Sequence, residues 1–128
     1  MFNWRRREPR EKPALLDEQY LARLESHLGA AALRELLSDG LLELSDRIDR
    51  IPDIVKAGDD TELSGLLHDI VGVAGHLGLT QLSHAAVAAG REIPQGGRAG
   101  SGVAEPVLAA APGSIAAIRY FLDGGSQD

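Results

Sequence analysis

The sequence predicts an all-α fold: an antiparallel up-down four-helix bundle with an additional short N-terminal helix. Three observations carry this expectation. From residue 14 onward the apolar residues recur at helical spacing and nowhere alternate as in a strand. The stripes are separated by glycine, proline and aspartate where helices stop and start. The connections are short, which favours antiparallel neighbours.

The first helix, within residues 14–28, carries Leu21, Leu24 and Leu28, with Asp17 as N-cap and Gly29 as stop. The second carries Leu33, Leu36, Leu37, Leu41, Leu44, Ile48, Ile51 and Val55. Pro52 is expected to kink or break it near its end, and Gly58 closes it. Asp59 or Asp60 caps a third helix, with the stripe Leu63, Leu66, Leu67, Ile70, Val73, Ala74 and Leu77, and Gly78 ends it. Thr80 is placed to cap a fourth, carrying Leu82, Ala86, Ala89 and Ile93. Residues 94–102, with four glycines, read as a linker. The last stripe is Leu108, Ala111, Ile115, Ile118 and Leu122. Pro106 suits its first turn, and Pro112-Gly113 is expected to kink or split it.

Composition bounds the function. The 128 residues make one ordinary domain, and 44% apolar content fills one core. The absence of cysteine excludes disulfides, zinc-thiolate sites and cysteine nucleophiles, and fits a cytoplasmic setting. No apolar run approaches the roughly 20 residues of a membrane span, and no secretory leader is expected.

The net charge of -6 is uneven. Residues 1–13 hold Arg5, Arg6, Arg7, Arg10 and Lys12 against Glu8 and Glu11, a local +3 that leaves -9 on the remainder. An acidic body with only two Phe, two Tyr and one Trp argues against a nucleic-acid partner. Residues 1–13 read as a disordered basic arm, a solvated tail or a contact for an anionic membrane surface or an acidic partner. Residues 14–123 form the domain, and 124–128 a flexible tail.

The third helix carries the chemistry. At about 100° per residue, with Leu66 at zero, its apolar stripe centres near 40° and His68 falls at about 200°, almost opposite. Ser64, Gly75, Gly72 and Gly65 share that outer face, between about 160° and 260°. A solvated helix face usually carries Glu, Lys, Arg and Gln. Each mid-helix glycine costs about 1 kcal/mol relative to alanine. Two readings explain the expense: space for another protein to approach the imidazole, or close helix–helix packing with His68 incidental. The position opposite the core favours the first.

The segment His68-Asp69-Ile70-Val71-Gly72-Val73-Ala74-Gly75-His76-Leu77-Gly78 resembles the histidine-containing phosphotransfer (HPt) domain. That family's pattern is matched at His68, Ile70, Gly72, Ala74, Leu77 and Gly78. The resemblance extends over residues 15–93. One departure stands out: Val71 occupies the position where the family usually has a lysine, thought to help accommodate the phosphoryl group. Arg91, on the next helix, is a candidate substitute.

The resemblance implies a phosphorelay carrier. His68 accepts a phosphoryl group from a receiver-domain aspartate and passes it on. Ser64, Gly65, Val71, Gly72 and Gly75 form the docking face. Partners are response-regulator receiver domains and a hybrid histidine kinase. The receiver supplies magnesium and most catalytic groups, so this chain binds no cofactor and is not an enzyme with its own turnover. A neutral imidazole offers a nucleophilic nitrogen.

The other histidines carry less. His27 suits the negative end of the first helix. His76, on the flank of the core, is expected to be a partly buried structural residue, and His84 to lie near the surface. Their spacing with His68 does not stack metal ligands on one face, so no metal site is expected. No Walker loop, serine elbow or HExxH motif occurs. Two alternatives stay open: a phosphotransfer-inactive adaptor, which Val71 favours, and a dimeric kinase-like phosphotransferase, suggested by His68-Asp69. The roughly 50 residues that follow are too few for a nucleotide-binding domain, and four helices in one chain favour a monomer.

Overall fold

A computed structural model describes residues 15–93 and 102–124. Every regular element among them is a helix: α1 Glu18–Leu28, α2 Ala30–Ala57, α3 Asp60–His76, α4 Thr80–Arg91 and α5 Glu105–Leu122. The expected arm at residues 1–13 and most of the linker and C-terminal tail lie outside the described residues.

The caps show why the helices begin and end where they do. The Asp17 carboxylate accepts the Tyr20 amide at 3.0 Å, satisfying an N–H that has no partner within α1. Asp59, rather than Asp60, does the same for the Glu62 amide at the start of α3, again at 3.0 Å. Gly58 closes α2 in the left-handed conformation, φ 71°, with its N–H donating to the Ile54 and Val55 carbonyls. Gly78 follows α3 at φ 76°. Its turn carries Leu79 into the core, fully buried, with the Leu79 amide on the Ala74 carbonyl at 2.9 Å. Leu79 therefore occupies the cap position of α4, and Thr80, expected there, is the first helical residue.

The prolines do not end their helices. α2 continues through Pro52, and α5 through Pro112-Gly113. Each proline forfeits one backbone hydrogen bond. Burial on both sides holds the turns together: Ile51 and Ile54 flank Pro52, and Ala111 and Ser114 flank Pro112-Gly113. Both prolines are themselves exposed.

The core takes Leu33, Leu37, Leu41, Leu44, Ile48 and Ile51 from α2 as expected, but Ile54 is buried and Val55 only half-buried. Leu36 is 41% exposed and Leu28 48% exposed, although both belong to apolar stripes. From α3 it takes Leu63, Leu66, Leu67, Ile70 and Ala74. α5 buries Ala111 and Ile118 as expected, but the rest of its line is shifted. Val107, Ala111, Ser114, Ala117 and Ile118 are buried, while Leu108, Ile115 and Leu122 flank the core half-buried. Small residues let a helix approach its neighbours closely, so size rather than apolarity sets the centre of this face.

α2 packs on α3, α3 on α4, α4 on α5, and α5 back on α2. The Arg34 guanidinium, near the start of α2, donates to the Leu122 carbonyl at the end of α5. α1 packs on α2 and reaches across to the end of α3. There the Asp17 amide donates to the Gly78 carbonyl at 2.7 Å, and the Tyr20 hydroxyl to the His76 carbonyl at 3.0 Å.

Candidate functional site

The centre of α3 is held by Leu66, Leu67 and Ile70, each no more than 4% exposed. Their burial fixes the rotation of the helix and turns the opposite face outward. His68 stands there exposed, near the middle of α3. Ser64, Gly65, Gly72 and Gly75 are exposed with it, and Val71 is half-buried at the edge.

The two explanations of the glycines can now be separated. A Cβ added at Gly65 or Gly72 would meet nothing within 4 Å, and one at Gly75 only the Ser83 hydroxyl at 4.0 Å. These glycines leave open space rather than room for a packed helix. A mid-helix glycine that does serve close packing is Gly40 of α2, where an added Cβ would lie 2.5 Å from a Leu77 methyl. Sequence reasoning did not single out Gly40. It sits within the long stripe of α2, and nothing local announces the helix it faces.

His68 borders two grooves. One, of about 300 Å³, runs between α3 and α4, where Ser64, His68 and Val71 face Gly90 and Arg91. The candidate cation thus shares a groove with the imidazole. The other, of about 590 Å³, runs toward α2 and joins His68, Asp69 and Ser64 with Arg50. Arg50 is a cation that the sequence reading missed, because its i, i+4 pairing with Asp46 reads as an ordinary surface ion pair. Beside His68, the Asp69 carboxylate lies 3.9 Å from the Arg47 Nε on α2, a long contact between a half-buried arginine and an exposed carboxylate.

Val71 packs against the core, and its carbonyl accepts the Ser83 hydroxyl at 3.3 Å. The position where the HPt pattern has lysine is therefore a half-buried apolar contact joining α3 to α4.

The remaining histidines lie apart. His27 is exposed in the last turn of α1, its Nδ1 2.7 Å from the Arg23 carbonyl, and His84 is exposed on α4. His76 is also exposed, correcting the expectation of partial burial. It is the last residue of α3, and α1 covers its carbonyl without enclosing its side chain. Among the described residues no group of three or more His, Asp or Glu gathers as a metal site would require, and no helix is long and apolar enough to cross a membrane.

Comparison with protein-family models, with curated proteins and with solved structures finds no match to this chain.

Proposed function

We propose that this chain is a histidine phosphotransfer protein of a two-component phosphorelay. The observation that carries the reading is the exposed His68 at mid-helix, set among glycines whose missing side chains leave open space, with an arginine in the groove on each side. An unprotonated imidazole nitrogen of His68 attacks the phosphorus of an aspartyl phosphate on a receiver domain. The N–P bond forms as the P–O bond to the aspartate breaks, and the electron pair leaves with the carboxylate. Return of the group to a second receiver reverses these steps. Such transfer depends on positioning and charge stabilisation. Among the described residues, Arg50 and Arg91 are cations that border His68 and are placed to interact with the transferred group, while magnesium belongs to the receiver.

In this reading α2, α3, α4 and α5 form an antiparallel up-down bundle, with α1 laid over one end. The closed order of helix contacts and the Arg34–Leu122 hydrogen bond support that arrangement. Because one chain supplies all four helices, the working unit is a monomer. Residues Ser64, Gly65, Val71, Gly72 and Gly75 make the docking face for receivers and a hybrid kinase, and the setting is the cytoplasm.

The half-buried Val71 favours a second reading, an adaptor that binds the same partners without accepting phosphate. The deciding experiment incubates the protein with phosphorylated receivers from its own organism and measures acid-labile phosphate on this chain. The carrier reading expects phosphate that disappears in His68→Gln with an unchanged circular dichroism spectrum. The adaptor reading expects no phosphate with any receiver, and binding that survives His68→Gln. Phosphate on His27, His76 or His84 would overturn the site assignment.

A further inference from the structure

A second concave surface lies apart from His68, where α1 crosses α2 and the end of α3. It is a mostly apolar groove of about 430 Å³, a size that takes a ligand's side chains. Tyr20 and Leu24 of α1, Leu36 and Gly40 of α2, Val73 of α3 and Leu77, which caps α3, line it. It exists because Gly40 lets Leu77 come close to the α2 backbone, while α1 is held off by its own attachment to the His76 and Gly78 carbonyls. Leu36 is one of four large apolar side chains left exposed among the described residues. The exposed His76 and the carboxylates of Asp39 and Glu43 also border the groove; Glu43 is paired with Arg47 at 3.2 Å on its own helix, so the charge match rests on Asp39. An occupant of matching chemistry joins an aromatic or aliphatic anchor to positive charge.

The chain itself contains such a segment. Residues 1–13 begin Met1-Phe2-Asn3-Trp4-Arg5-Arg6-Arg7, followed by Arg10 and Lys12. They hold the only tryptophan of the protein and a net charge of +3, against an acidic remainder. Their attachment point is close, because Asp17 lies one helical turn before the groove residue Tyr20. The roughly ten residues between Trp4 and Leu15 reach about 35 Å when extended, well beyond one or two turns of α1.

We infer that the groove between α1, α2 and α3 is the docking site for this protein's own residues 1–13, with Trp4 or Phe2 as the apolar anchor and the arginines against Asp39. Apolar burial supplies most of the attraction, and the charge pairing sets orientation. The inference stands independently of phosphotransfer at His68.

Trp4 fluorescence tests it directly, since no other tryptophan contributes. The references are a synthetic peptide of residues 1–13 and the full chain in urea. The docked arm is expected to shift Trp4 emission to shorter wavelength and protect it from acrylamide quenching in the native full chain. Leu36→Glu is expected to abolish both effects and Asp39→Lys to weaken them, with far-UV circular dichroism unchanged. Both substituted side chains are on the exposed face of α2, so folding is not at stake. The shift is expected to persist on hundredfold dilution, as an intramolecular contact must. Native emission equal to that of the peptide overturns the inference, as does a shift that Leu36→Glu leaves intact. A shift lost on dilution overturns it too, because the arm then binds a second copy.

Discussion

Two mid-helix glycines, Gly72 and Gly40, are predicted to respond oppositely to the same substitution. In Gly72→Ala the added methyl meets nothing within 4 Å. Only helix propensity changes, so the variant gains about 1 kcal/mol of stability. Gly40→Ala brings the same gain but places its Cβ 2.5 Å from Leu77 Cδ2 and 3.3 Å from Leu77 Cγ. Leu77 is 1% exposed, and its Cδ2 methyl must turn toward the groove that it lines, giving up packing against α2. Overpacking of this kind costs about 1–3 kcal/mol, so Gly40→Ala ends between neutral and about 2 kcal/mol destabilised. The two variants should differ by about 1–3 kcal/mol. Denaturant unfolding with a common slope measures the difference. Gly72→Glu completes the series. Its propensity gain of about 0.5 kcal/mol is offset by about 0.2–0.5 kcal/mol of repulsion from Asp69 three residues earlier. Stability stays near that of the natural protein, yet bulk and negative charge one turn from His68 should stop phosphate acceptance. If Gly72→Ala is destabilised, or Gly40→Ala is as stable as Gly72→Ala, the assignment of open space to one glycine and close packing to the other is refuted. If Gly72→Glu accepts phosphate at the original rate, the clearing has no role in transfer.

Arg91→Ala should lower the equilibrium phosphorylation of His68 several-fold without changing far-UV circular dichroism; an unchanged level removes Arg91 from the site. Val71→Lys should raise the phosphorylated fraction by a few-fold at most, about 0.2–1 kcal/mol, since solvent screens a cation at this edge; a labelled-phosphate assay reads the change. Asp59→Ala should cost about 1 kcal/mol by removing the carboxylate that accepts the Glu62 amide, seen as a lower denaturant midpoint. Ile70→Ala should cost about 2–5 kcal/mol, because Ile70 is fully buried at the turn of α3 that orients His68.

The helices and most of their ends were legible in the sequence because they are set locally. Asp17 and Asp59 bond backbone amides three residues on, and Gly58 and Gly78 adopt left-handed φ values that other residues resist. The outward rotation of His68 was legible for a related reason: an apolar stripe as strong as that of α3 admits one orientation toward a core. Other features depended on neighbours distant in the chain. The inner face of α5 is centred on Ala111, Ser114 and Ala117, because proximity to α4 and α2 selects small residues over the larger Leu108 and Ile115. Pro52 and Pro112 stay within helices because burial on either side outweighs one lost hydrogen bond. Arg50 and Arg91 come to the two sides of His68 only when α2 and α4 flank α3. The groove around Gly40 and Leu36 needs three helices to exist at all. Periodicity and capping act within a few residues and are written in the sequence, whereas which helix faces which, and what space remains between them, is settled only when all the side chains pack together.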